Sequence, residues 1–284
     1  LVDKFEGKDG LRIDQSTVYN PANPRINRDN RLKWTVYMQG DTMQHNTAKA
    51  PSLPYVQPKE RTIFNVYSNA RYKWNWNTNR YDTVSGNIDW INYLTSPWFA
   101  GATGSSGGVG YVWRKYVDST QYSWETKTGF ILMRYAEILL TYAEAKVELN
   151  QIDNTVVDAI NLVRARAGQP AIALGSQDQM RQIVRRERAV EFAGEGLRLF
   201  DIRRWDIVPA AMSGPVVGVS LNPADPAPTP SFDANDIPDY TASVAKRLKT
   251  RGQTRQNTTK HKLWPIPQGE IDKNKGISQN PGWQ

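Results

Sequence analysis

The chain has 284 residues, 36 Lys+Arg against 28 Asp+Glu for a formal charge of +8, 10 Trp, 13 Tyr and no cysteine. That length can bury a sizeable core in one large or two small domains, while the missing thiols exclude disulfide scaffolds, thiolate nucleophiles and Cys-ligated zinc. No apolar run reaches the roughly 18 residues of a spanning helix, so any membrane attachment is expected outside this chain.

Residues 1–60 are short patches broken by Pro21, Pro24, Pro51, Pro54 and Pro58, which predict irregular structure with a short strand at 32–38. Residues 61–128 hold Trp74, Trp76, Trp90, Trp98, Tyr72 and other aromatics among Asn65, Asn69, Asn75, Asn77, Asn79, Asn87 and Asn92. Helical core packing does not account for Trp in a polar, Asn-rich segment. A pyranose ring has an apolar C–H face and a hydroxyl rim, and its site needs a flat ring beside amide and charged groups. RYKWNWNTNRYD supplies both. Trp74 and Trp76 are two apart, so a strand would turn both to one face. The candidate ligand contacts are therefore Trp74, Trp76 and Trp98 as stacking rings, Asn75, Asn77 and Arg80 as hydrogen-bonding groups, with Tyr72 and Trp90 beside them; core burial is the competing reading for each. Trp113 and Tyr116, in the expected strand YVWRKYV, are assigned to the core. The glycine-rich run 101–110 lacks the lysine and the strand-to-helix setting of a phosphate cradle and reads as a loop over the site.

A first helix is expected over 132–149, with one apolar stripe of Leu132, Ala136, Leu139, Leu140, Ala143 and Val147 and an adjoining one of Tyr135, Ile138, Tyr142, Ala145 and Leu149. Arg134, Glu137, Thr141, Glu144 and Glu148 form the wet strip. Two apolar flanks call for two neighbours, as in stacked helix pairs of the tetratricopeptide kind. A second helix carries Val156, Ala159, Ile160, Val163 and Ala167, capped near 153–155 and ended by Gly168 and Pro170. Ser176 with Gln179 is a capping box opening a third, whose apolar line Met180, Ile183, Val184 continues onto Glu187 and Glu191. Two carboxylates on a buried line need cations, and the stretch contains Arg164, Arg166, Arg188, Arg198, Arg203 and Arg204. A buried Glu/Arg network is expected, with Glu187, Glu191, Arg188, Arg198 and Asp201 as its members.

Residues 206–241 are a Pro-rich excursion. Asp225, Asp233, Asp236 and Asp239 could gather a structural calcium ion, but their spacing does not fit the EF-hand template, so a solvated loop and no cofactor are expected. The basic stretch 246–262 has no aromatic interleaving or helix-turn-helix signature and reads as a solvated surface facing an acidic partner or lipid headgroups rather than as a nucleic-acid site. Trp264 is assigned to the core. Glu187, Glu191, Glu195 and Asp201 could supply a glycosidase pair, but the arginines around them would keep both acids ionised where a general acid needs a raised pKa. His45 and His261, the two histidines, fall in unrelated segments, and no enzyme is expected.

The runs RYAEILLTYAEA, AINLVRARAG, RRERAVEFAGEGLRLFDIRRW and LWPIPQGEIDKNKGISQNPGW, in that order, resemble the C-terminal half of the SusD/RagB family of outer-membrane nutrient-binding lipoproteins of Bacteroidetes; RDNRLKWTVYMQGDT and YVWRKYVD are similar to weaker family segments. The resemblance implies a mainly α, SusD-like fold of tetratricopeptide-like helix pairs with a large irregular, loop-rich region and few short strands. It implies structural roles for Asp29 and Arg31, a tail that packs back on the body, and a further helical half with a lipid-bearing N-terminal Cys, without which one apolar face would stay open. The chain divides as 1–128, loop-rich and aromatic, and 129–284, helical with the Pro-rich excursion and tail, in one continuous domain. The function so implied is non-catalytic capture of oligosaccharides at the cell surface for import through a SusC-like TonB-dependent transporter. A peptide ligand, as in the RagB branch, is the alternative, and an anionic-polymer or nucleic-acid binder the reading from another class.

Overall fold

The computed structural model describes residues 1–46, 59–64, 71–75, 77–84, 110–117, 128–249 and 254–283. In chain order these form α1 (Asn30–Thr35), β1 (Val36–Tyr37), β2 (Thr42–Asn46), β3 (Lys59–Ile63), β4 (Arg71–Asn75), β5 (Arg80–Val84) and β6 (Val112–Trp113). Then come α2 (Tyr135–Glu148), α3 (Asn154–Arg166), α4 (Gln177–Glu191), α5 (Arg198–Arg204), α6 (Val208–Met212), β7 (Val217–Ser220), β8 (Ser231–Phe232), β9 (Pro238–Asp239), β10 (Arg247–Lys249) and α7 (Gln268–Lys273). Strands β2 to β5 make an antiparallel meander in sequence order, and β1–β6, β7–β10 and β8–β9 are two-stranded. Helix pairs with short strands are the architecture expected from the sequence.

The core lies between α2, α3 and α4. Leu140, Ala143 and Val147 of α2 meet Val156, Ile160 and Val163 of α3 and Met180 and Val184 of α4. Full burial of such a side chain stabilises by roughly 1.5–3 kcal/mol, which makes this cluster the main apolar contribution. The local signals set the helix ends: Asp153 accepts from the Thr155 amide, Ser176 and Gln179 form the capping box, and Gly168 turns the chain out of α3 at φ +70°. The second stripe of α2 is open, with Tyr135 at 70% and Ile138 at 54% exposure.

Charged groups tie the rest to this layer. Arg31, on α1, pairs with Asp29 at 2.6 Å, Glu187 at 2.5 Å and Glu191 at 3.0 Å. Glu187 also meets Arg164, and Arg164 meets Glu6; Arg186 joins Glu6 to Asp236, which pairs with Lys4 as well. On the other side Arg134 and Lys115 hold Glu191 and Glu195. Below them Arg188 and Arg204 clamp Asp201 and Glu144. Arg198 stands with its guanidinium over the Trp205 ring, 5.5 Å from the centroid.

Several expectations are corrected. Residues 30–35 are helical, because Asp29 caps the turn through the Arg31 amide, and only Val36 and Tyr37 pair, with Trp113 and Val112. The helix expected from 132 begins at Tyr135, since Arg134 is extended and sends its guanidinium to Glu191 and Glu195. Glu144, placed on the wet strip, is buried where Arg204 and the Trp205 indole N–H reach it. Asp236 is no solvated loop residue but wholly buried between Lys4 and Arg186. Trp113 is 51% exposed, its ring laid on Gly194, where a Cβ would come within 3.3 Å of it. Trp264 is 68% exposed under the Arg203 guanidinium. The tail folds onto 260–264 through Trp283 and Asn280, and that segment meets α6 by way of Asn257 and Met212.

Arg31→Ala leaves three buried carboxylates short of a cation and is expected to lower the unfolding free energy by about 3–5 kcal/mol, measured by urea unfolding. Acid titration gives a second expectation. Burial alone would raise Glu191 and Asp236, but Arg31 and Arg134 outweigh it at the first and Lys4 and Arg186 at the second, holding them below their ordinary 4.5 and 3.8. Their contribution to stability is complete above those values and lost as pH falls through the lowered ones. Glu187, which burial raises, works partly against them. The urea midpoint should hold from neutral pH to about 5 and fall steeply below about 4.

Candidate functional site

The aromatic segment folds as the β4–β5 hairpin, with Tyr72 opposite Thr83, Trp74 opposite Tyr81 and Asn75 opposite Arg80. The turn at 77–79 is built by Asn75, whose Oδ1 accepts from the amides of Asn77 and Thr78 while its Nδ2 donates to Asp82 at 2.7 Å. Asn79 takes the left-handed conformation that Asn tolerates, at φ +53°.

Trp74 and Tyr81 meet edge to face, 4.9 Å between centroids at 72°. Arg61 of β3 lies 5.3 Å from the Trp74 centroid, because Thr62 pairs with Lys73 in antiparallel register and so sets the preceding residue of β3 beside the following residue of β4. Tyr72 shares that face by the two-residue repeat. Half-buried rings braced by a guanidinium and a cross-strand neighbour are a firm surface for the C–H face of a sugar.

Strand alternation divides the candidate ligand residues. Trp74 and Tyr72 lie on one face, whereas Asn75, Arg80 and Asp82 lie on the other. Asn75 is occupied by the turn, and Asn77 and Arg80 are exposed. The pairing of Trp74 with Asn75 and Arg80 around one ligand is thus corrected to a face of Tyr72, Trp74, Tyr81 and Arg61. Trp76, Trp90, Trp98 and the run 101–109 lie outside the described residues. Tyr81 and Arg61 join this candidate face without a place among the residues singled out from the sequence; the hairpin spacing of RYKWN and RYDTV points to Tyr81, while no local signal places Arg61.

The carboxylates weighed for catalysis are saturated. Arg31, Arg134 and Arg166 converge on Glu191, and Arg134 and Lys115 on Glu195, which is ion-pair scaffolding. Among the described residues no group of His, Asp and Glu could hold a metal ion, and no helix is long and apolar enough to cross a membrane.

Comparison with known proteins agrees with this architecture. The family model of the SusD family matches residues 1–283. The chain is similar to SusD-like protein P2 of Formosa agariphila, 31% identical over 171 residues, 56% of this chain and 27% of that protein. It is similar in fold to a SusD-like protein of Bacteroides fragilis, at TM-score 0.64 and 22% identity over 99% of this chain and 45% of that one. It also resembles a SusD-like carbohydrate-binding protein of the same species, at TM-score 0.59 and 26% identity over 98% of this chain and 47% of that one. The chain thus spans less than half the length of each of these relatives.

Asn75→Ala removes the acceptor that closes the turn. It should cost about 1 kcal/mol of local stability, read as faster hydrogen exchange at the Asn77 and Thr78 amides with the α2–α4 amides unchanged.

Proposed function

The chain belongs to the SusD family, and on that premise we propose that it is part of a non-catalytic binding protein that captures oligosaccharides at the cell surface. Delivery would be to a SusC-like TonB-dependent transporter of the outer membrane, with attachment by a lipid outside this chain. The observation that carries the reading is the hairpin face of Tyr72, Trp74 and Tyr81 with Arg61 against the Trp74 ring. An edge-to-face aromatic pair held by a hydrogen-bonded strand pair costs little ordering when a ligand arrives, and ring stacking suits the one apolar face a pyranose offers. That a B. fragilis relative of the same fold is described as carbohydrate-binding supports it. The reading without turnover rests on Glu187, which burial raises but which is only 3% exposed and enclosed between Arg31 and Arg164, and on Glu191, which Arg31 and Arg134 hold ionised. Trp76, Trp90 and Trp98 complete the proposed contacts.

In affinity electrophoresis against a panel of plant and algal polysaccharides, Trp74→Ala with Tyr81→Ala should weaken retention at least tenfold while leaving the circular dichroism spectrum unchanged. Undiminished retention would reject this face. No reducing ends should appear on prolonged incubation with the retained polysaccharide; their appearance, and their loss in Glu187→Gln, would make the protein a hydrolase.

A further inference from the structure

A second open aromatic lies away from the hairpin. Trp34, on α1, is 47% exposed and lines a cleft of about 230 Å³ with Lys115, Ile131, Arg134 and Arg166. Its place follows from α1 itself. Asn30, one helical turn earlier, donates to the Ala167 carbonyl at 3.0 Å, so that side of α1 faces the C-terminal end of α3, where Arg166 sits.

The charges around this ring do not balance. Glu191 and Glu195 in the cleft are matched by Arg134 and Lys115, Arg31 by Asp29, and Arg164 by Glu187. Arg166 is a third guanidinium on Glu191, beside Arg31 and Arg134. It touches Glu191 through one nitrogen at 2.6 Å, and its side chain is 58% exposed. Lys33 holds its ammonium 5.5 Å from the Trp34 ring centroid and has no carboxylate within ion-pair distance among the described residues. An exposed indole thus has beside it Lys33, a cation without a carboxylate partner among the described residues, and in its cleft Arg166, a cation more than half exposed that spends one nitrogen on Glu191, in a chain whose formal balance is +8.

We infer that this cleft is a subsite for an acidic saccharide, with the C–H face of one sugar ring on Trp34 and its carboxylate or sulfate on Arg166 and Lys33. A guanidinium fork fits either planar carboxylate or sulfate oxygens with two parallel hydrogen bonds, and Ile131 forms an apolar wall. The net positive charge would also speed the encounter with a polyanion. This rests on the saccharide-binding reading above and narrows it to glycans bearing negative charge.

The test measures the full chain by affinity electrophoresis and calorimetry against polygalacturonate, alginate, a sulfated galactan, and the neutral polysaccharides galactan, xylan and starch. At least one acidic glycan should bind tenfold or more tightly than every neutral one, and uronates against the sulfated galactan tell carboxylate from sulfate. Trp34→Ala should weaken that binding tenfold or more, and Arg166→Gln and Lys33→Gln severalfold each. Raising salt should weaken the parent protein more than the Lys33→Gln variant. Lys33 stands outside the buried network, so its loss leaves the fold intact. Binding of neutral glycans alone overturns this inference and leaves the saccharide reading standing. Binding of no glycan, or of a peptide library instead, overturns both. Acidic-glycan binding that Trp34→Ala and Lys33→Gln leave unchanged removes the cleft as its place.

Discussion

Arg31 sits where an uncompensated charge would be costly, and three carboxylates close on it. Each of those ions gives up several kcal/mol of hydration on leaving water, so the arrangement persists only when every member has a partner. Asp29 holds the guanidinium from its own turn, Glu187 and Glu191 from α4, and the two glutamates lead outward, Glu187 to Arg164 and Glu191 to Arg134 and Arg166. The positions of α1, α3, α4 and the extended segment before α2 are all settled by these pairings. What apolar burial leaves loose in direction, a fork of five N–H donors fixes in register.

This network also accounts for how the aromatic strands stand on the helical layer. Val36, Tyr37 and Met38 follow α1 into the core, and the turn after them closes with Asp41, which accepts from the Met38 amide and whose own backbone pairs with Phe64. Phe64, fully buried, leads back from β3. The sheet bearing Trp74 is thus anchored at its root, and its rings are braced by neighbours within the sheet.

Local patterns foretold the parts of the fold that are local. The Ser176–Gln179 box, the Asp153 cap and the Gly168 exit are short-range hydrogen-bonding devices, and their helices end where those residues stand. The 3.6-residue repeat likewise carried Glu187 and Glu191 to the buried side of α4. What a repeat within one helix does not contain is the partner. Arg31 lies 156 residues from Glu187, and Glu144 is buried by an arginine and a tryptophan 60 and 61 residues further on. Trp113 and Trp264 show the limit of judging burial from residue type: each large ring covers a glycine or stacks with a guanidinium and keeps an open side. At the hairpin the two-residue alternation that groups Tyr72 with Trp74 also separates Trp74 from Asn75, so adjacency in RYKWN did not mean a shared ligand.

The length of these pairings along the chain bears on how it folds. Helices α2 to α4 can begin to associate through neighbours close in sequence, but their charged interior closes only when the first forty residues arrive, and Lys4 must find Asp236 across 232 positions. Loops of that span make nucleation slow, and a nascent chain would expose half-neutralised carboxylates until closure.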